Sequence, residues 1–274
     1  MLRRCPAERG PARISRKGKQ AGREAGQEAG REAGQEDGMD ELGTILGVWA
    51  HPDDECYLSA GIMARAVRNG SRVVCVTATR GEGGSMDEEK WPPENMGEVR
   101  TRELERSLEI LGVQEHIWFD MQDVDMETGL PDEGFERVGN LVADIQPDTI
   151  LTFGPDGMTD HAAHKDVSAW ATKALMDAGK PGSKVLYATV TPEWAAEFVP
   201  IWEPFNVFRP GTPPITPRDE LALYVELSGE ILEQKVNAIN AHVSQVEAIV
   251  EAVGPQVWWR EMSFEAFRPG EERG

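Results

Sequence analysis

Cysteine is scarce in this 274-residue chain: Cys5, Cys56 and Cys75 are the only three, with no C-x-x-C spacing among them. An odd count without paired spacing argues against a disulfide framework and against a thiolate zinc site. Long apolar runs are missing too. No stretch approaches 18 consecutive apolar residues, so no membrane span is expected. The basic N-terminus MLRRCPAERGPARISRKGKQ lacks the apolar centre of a secretory signal, which leaves the cytoplasm as the default location. Positive charge is short as well: 28 Lys and Arg stand against 48 Asp and Glu, a formal net charge of −20. Residues 1–38 hold 9 of the basic and 6 of the acidic residues, leaving 19 against 42 in the remainder. That balance argues against a nucleic-acid partner, because phosphate contacts need a basic footprint.

What is present falls into two regions. Residues 21–36, AGREAGQEAGREAGQE, repeat an eight-residue unit whose only apolar face is alanine. Such a face buries too little surface to offset its ordering entropy. Residues 1–40 are therefore expected as a disordered or weakly helical tail, and 41–274 as the folded domain. In that domain apolar runs alternate with helical patterns. TILGVWA (44–50), RVVCVTAT (72–79), HIWFD (116–120), DTILTFG (148–154) and SKVLYATV (183–190) read as strands. Residues 57–69, 97–111, 135–145 and 165–176 have helical spacing; in the second of these, Val99, Leu104, Leu108 and Leu111 share one face. The alternation predicts right-handed crossovers and one doubly wound, mostly parallel α/β sheet with helices on both faces. The Pro-rich segment 200–217 reads as a long surface loop, 228–252 as helix and MSFEAFR (262–268) as a last edge strand.

In such a sheet, ligands bind beyond the C-terminal ends of the strands. Three charged or Gly-rich segments fall there: AHPDDE, TRGEGG and GPDGMTDHAAH. The chain has only five histidines, and His51, His161 and His164 lie in these segments. Neighbouring carboxylates at a buried strand end repel one another and are costly to desolvate, so a positive partner belongs there. Two histidines and one carboxylate match what Zn²⁺ takes in hydrolytic enzymes. The same set suits non-haem iron, so ligand type alone leaves the metal open. Taken singly the signals are weak, since H-x-x-H is common on surfaces and HPDDE could be a turn with an N-cap. Their meeting at neighbouring strand ends favours a metal site. GEGG has the look of a phosphate cradle but lacks the glycine spacing of a dinucleotide fingerprint.

AHPDDE after a strand, TRGEGG, the helix RTRELERSLEILG, TFGPDGMTDHAAH and KVNAINAHVSQ occur in this order over residues 44–245. Together they resemble the LmbE/PIG-L family of metal-dependent N-deacetylases. The resemblance implies a Rossmann-like sheet that binds zinc or another divalent transition metal, and removal of an acetyl or other acyl group from an amino sugar or related amide. Carried over by position, it makes His51, Asp54 and His164 the metal ligands and Asp53 the general base. His161 would stabilise the oxyanion or protonate the leaving amine. Arg100 and, more loosely, Asp123 match positions that contact substrate. The plain alternatives are a loop acid for Asp53, a solvated helix charge pairing with Glu103 or Glu105 for Arg100, and a surface acid for Asp123. His116 and His242 read as structural.

One departure stands out. The family usually has H-P-D-H where this chain has HAAH, so Ala163 replaces an aspartate that orients the catalytic histidine. A lower pKa and looser geometry are expected for His161, with Asp160 or Asp166 as compensating carboxylates. The implied partner is a small N-acylated sugar or conjugate; oligomeric state stays open. Two rivals remain: an amidase acting on a thiol or peptide-like conjugate, and a metal-binding pseudoenzyme that recognises a sugar without turning it over.

Overall fold

In this computed structural model residues 42–274 are described, and the tail expected over 1–40 lies outside them. Every residue of β1 (Ile45–Trp49), β2 (Val73–Thr79) and β4 (Thr149–Phe153) is buried. Unbroken apolar strands of this kind must be covered on both faces. They form the centre of a seven-stranded sheet in the order β3-β2-β1-β4-β5-β7-β6, completed by β3 (Glu115–Met121), β5 (Lys184–Ala188), β6 (Leu223–Glu226) and β7 (Phe264–Glu272). The first five strands in this order are parallel; β7 runs antiparallel to both β5 and β6.

The crossovers are α1 (Asp54–Arg68), α2 (Pro93–Leu111), α3 (Glu133–Ile145) and α4 (Ala162–Ala178). After β1 the chain winds towards β2 and β3, then returns to β4 and β5 on the other side of β1. With right-handed crossovers, α1 and α2 cover one face and α3 and α4 the other. The winding reverses between β1 and β4, which opens a crevice at their C-terminal ends. Trp49, Phe153 and Trp170 are wholly or almost wholly buried beneath it. Each large side chain so buried adds roughly 1.5–3 kcal/mol.

The second half departs from the sequence reading. Part of the expected loop at 200–217 is helical: α5 (Pro192–Trp202) continues through Pro200. Proline removes one N–H from the ladder there, two residues before the helix ends. The helix expected over 228–252 is two, α6 (Gly229–Ile239) and α7 (Val243–Val253), with His242 at the break; α8 (Pro255–Met262) follows. The expected edge strand is β7, which lies inside the sheet because β6 pairs along its outer side. Among the described residues no helix is long and apolar enough to cross a membrane.

Candidate active site and metal centre

His51 follows β1, and His164 sits in the first turn of α4 behind β4, so the switch point brings them together. Nδ1 of His51 and Nε2 of His164 are 3.1 Å apart. Oδ1 of Asp54 is 3.6 Å from His164 Nε2, and Oδ2 is 3.7 Å from His51 Nδ1. Metal bonds of about 2.0–2.2 Å in a tetrahedron place ligand atoms about 3.4 Å apart. Asp54 thus approaches the two rings through different oxygens, and the ring nitrogens of His51, His161 and His164 form a group close enough to hold one ion.

The hydrogen bonds set the tautomers to match. His164 Nδ1 lies 2.9 Å from the Gly157 carbonyl and donates to it, so Nε2 presents a lone pair. His51 Nε2 lies 3.2 Å from Asp123 Oδ1, which leaves Nδ1 turned to the same point. A carboxylate or carbonyl on the far nitrogen is the usual support of a metal-binding imidazole. Asp54 is itself held, its Oδ2 accepting the amides of His51 (2.7 Å) and Ala50 (3.1 Å). Burial depresses His164 well below its ordinary pKa, and the neighbouring His51 charge adds to this. Burial acts on His51 in the same sense, yet contact with Asp123 and the Asp54 charge leave it raised. The folded chain thus calls for positive charge between these rings. Asp53 and Asp54 feel the charge of one guanidinium, Arg100, while Asp123 answers to His51. The excess of carboxylates over fixed cations suits a bound metal ion.

Asp53 stands at the N-cap of α1, but its carboxylate caps nothing. It turns to Arg100, with Oδ2 3.2 Å from Nη2. Arg100 is 4% exposed and also donates to the carbonyls of Pro52 and Gly81, so it is no solvated helix charge. Gly81, at φ +67°, is required here because a Cβ would overlap the guanidinium. The glycines of TRGEGG therefore make room for an arginine rather than a phosphate. Burial raises the Asp53 pKa to about 6 against the pull of Arg100. Nor is Asp123 a surface acid: its side chain is 6% exposed and bonded to His51. Burial alone would raise it, but His51 and the amides of Gly83 and Val124 hold it at about 2.

His161 brings a ring nitrogen within 4.8 Å of ring nitrogens of His51 and His164. The orienting aspartate is replaced by backbone: His161 caps α4, its Nδ1 accepting from Ala163 N at 3.2 Å. The ring is thus held more firmly than the sequence suggested. Asp160 pairs with Lys165, and Asp166 accepts from Leu130 N, so the compensating carboxylates are engaged elsewhere. Burial, then the charges of His51 and His164, lower the His161 pKa to about 3. It is neutral, with the proton on Nε2.

Residues 46–175 match the family model described as PIG-L: GlcNAc-PI de-N-acetylase. These residues form a PIG-L family domain. The chain is 28% identical over 264 residues to a 1D-myo-inositol 2-acetamido-2-deoxy-alpha-D-glucopyranoside deacetylase from Kineococcus radiotolerans, covering 79% of this chain and 73% of the relative. Among solved structures, N,N'-diacetylchitobiose deacetylase from Pyrococcus horikoshii shares the fold with TM-score 0.58 and 21% identity, over 90% of this chain and 92% of the other. The zinc-inhibited form of a teicoplanin deacetylase superposes with TM-score 0.54 and 16% identity, over 82% and 97%.

The candidate site opens into a cavity of about 560 Å³. His51, Asp53, Arg100 and His161 line it on one side. Trp194, Val207 and Phe208 line it from α5 and the segment after it, and Tyr57 and Phe264 form more of its apolar wall. Sequence reasoning missed this wall: Val207 and Phe208 lie in a Pro-rich stretch without periodic signal, and no local pattern marks Tyr57, Trp194 or Phe264 as lining a cavity. It also gave no role to Glu55, which closes the motif AHPDDE, and named Glu103 only as a surface partner for Arg100. Glu103 accepts both the amide and the hydroxyl of Ser244 at 2.7 Å. Gln245 Nε2 donates to Gly84 O at 2.9 Å, so NAHVSQ is tied to the same centre.

Proposed function

We propose that this PIG-L domain is a zinc-dependent hydrolase that removes an N-acyl group, acetyl above all, from an amino sugar or glycoconjugate. The observation that carries the reading is the approach of His51 Nδ1 to His164 Nε2 at 3.1 Å, with Asp54 Oδ1 3.6 Å from His164 Nε2, Asp54 Oδ2 3.7 Å from His51 Nδ1, and Asp53 held beside them by Arg100. A bound divalent cation supplies Lewis acidity, polarising the amide carbonyl and acidifying water. Asp53 takes the proton from the attacking water; its pKa near 6 suits a base working near neutrality. His161 donates through Nε2–H to the oxygen on which charge develops, as a neutral hydrogen-bond donor. Proton delivery to the leaving amine then falls to Asp53, which holds the proton it has taken. Arg100 aims Asp53 and reaches the cavity wall, where it can also meet substrate. Asp123 fixes the His51 ring, and its role towards sugar hydroxyls is secondary.

Retention of a positioned His161 despite the loss of the family aspartate speaks for turnover over a pseudoenzyme. Elemental analysis of purified protein, paired with acetate release from a panel of N-acetylglucosamine conjugates, tests the reading. About one zinc per chain is expected, with release that Asp53→Ala lowers by about 10²–10⁴-fold at unchanged metal content. No release from any N-acylated sugar by the zinc-loaded chain would refute it.

A further inference from the structure

Two motif ends stand outside the chemistry described so far: Glu55, the last residue of AHPDDE, and His242 of NAHVSQ. Both are wholly buried, and they meet with Glu55 Oε1 3.3 Å from His242 Nε2. The other Glu55 oxygen accepts the backbone amide of Asp53 at 3.0 Å. Asp53 has φ +113° and ψ −28°, outside the regions a non-glycine residue adopts freely. A residue so strained persists only where its surroundings over-determine it. Its carbonyl is held by the amides of Cys56 (2.9 Å) and Tyr57 (3.0 Å), its carboxylate by Arg100, and its amide by Glu55.

His242 is fixed in turn. Its carbonyl accepts the amides of Gln245 and Val246, while Ser244 is locked onto Glu103 of α2. Helix α2 thus reaches Asp53 twice, directly through Arg100 and indirectly through Glu103, Ser244, His242 and Glu55. The Cys56 thiol, also near His242, is engaged with Ser107 Oγ at 2.7 Å. We propose that the Glu55–His242 pair is a positioning device that holds the Asp53 backbone in its strained conformation and so aims the base. The pair touches neither metal nor substrate. The inference rests on the reading of Asp53 as base.

The test compares the full-length Glu55→Ala, Glu55→Gln and His242→Gln variants with wild type. In Glu55→Ala, kcat for an N-acetylglucosamine conjugate is expected to fall about 100-fold, with KM within threefold and zinc content unchanged. Glu55→Gln keeps an oxygen for the Asp53 amide and should recover kcat to within tenfold of wild type. Amide exchange over residues 51–57, followed without metal, should quicken at least tenfold in Glu55→Ala while exchange in α2 stays as it was. His242→Gln should lower kcat by an intermediate factor, and it serves if Glu55→Ala does not fold. The inference is overturned if a folded Glu55→Ala keeps kcat within threefold, if Glu55→Gln is as damaged as Glu55→Ala, or if segment 51–57 exchanges at the wild-type rate. Should His242→Gln carry the test, wild-type kcat or exchange in it overturns the inference equally. An inactive wild type would instead refute the assigned reaction, while the exchange arm still reports on the brace.

Discussion

Nδ1 of His51 and Nε2 of His164 face each other at 3.1 Å, each with its far nitrogen committed to an oxygen of the protein. Two imidazoles so arranged hold together through a proton or a cation. Zinc binding should therefore stabilise the fold measurably. At a hundredfold excess over Kd the gain is about 2.7 kcal/mol, or roughly 5–10 °C in Tm for a domain of this size. Chelation should reverse it in a calorimetric scan. His164→Ala should weaken zinc binding by at least about 100-fold and abolish the shift.

Glu261 makes stability depend on pH. It is 4% exposed, its Oε1 accepts Trp202 Nε1 at 2.6 Å, and burial raises its pKa to about 7 against the pull of that bond and of Lys235. An acid whose folded pKa lies above its unfolded value contributes fully below the unfolded value. That contribution fades as pH rises through the folded one. Glu261→Gln keeps the bond to Trp202 and removes the titration. Its stability relative to wild type should rise between about pH 4.5 and pH 7, reaching on the order of 3 kcal/mol. A flat difference across that window would show that Glu261 is not held neutral.

Lys235 and Glu265 form an ion pair of 2.8 Å with neither side chain exposed. Glu265 also accepts the amides of Gly61 and Ile62 in α1, and Lys235 donates to the carbonyl of Tyr57. The pair is set into the hydrogen-bond ladder of the helix that Asp53 and Asp54 begin. Glu265→Leu strands an ammonium and loosens two amides, and should cost about 3–5 kcal/mol in urea unfolding. Lys235→Met should cost less, because both amides stay satisfied.

The aromatic wall of the cavity bears on the leaving group. Trp194 and Phe208 meet edge to face, with centroids 6.3 Å apart, and both line the cavity. Trp194→Ala should raise KM about tenfold for an aryl glycoside of N-acetylglucosamine, the loss of roughly 1–1.5 kcal/mol of ring contact. KM for free N-acetylglucosamine should move less than threefold. Equal effects on both would show that the ring supports the site rather than the aglycone.

Residues up to about 178 were readable because their strands are continuous apolar runs and their helices amphipathic. The motifs close β1, β2 and β4, and three donors named from sequence converge at the switch point. Other positions answered to contacts that no local pattern encodes. Arg100 looks like a surface charge in RTRELER, and becomes a buried partner of Asp53 only because Gly81 leaves space for it. Asp123 follows a strand among other acids, and a distant imidazole makes it part of the site. After residue 190 the reading weakened for the same reason. Prolines hid α5, and the interior place of β7 depends on a short β6 with little signal of its own.

The brace around Asp53 also has an order in time. A domain folds as a unit, and Glu55 and His242 stand 187 positions apart in the chain. The turn that backs Asp53 is made late, so this carboxylate is aimed only once nearly the whole domain has been synthesised.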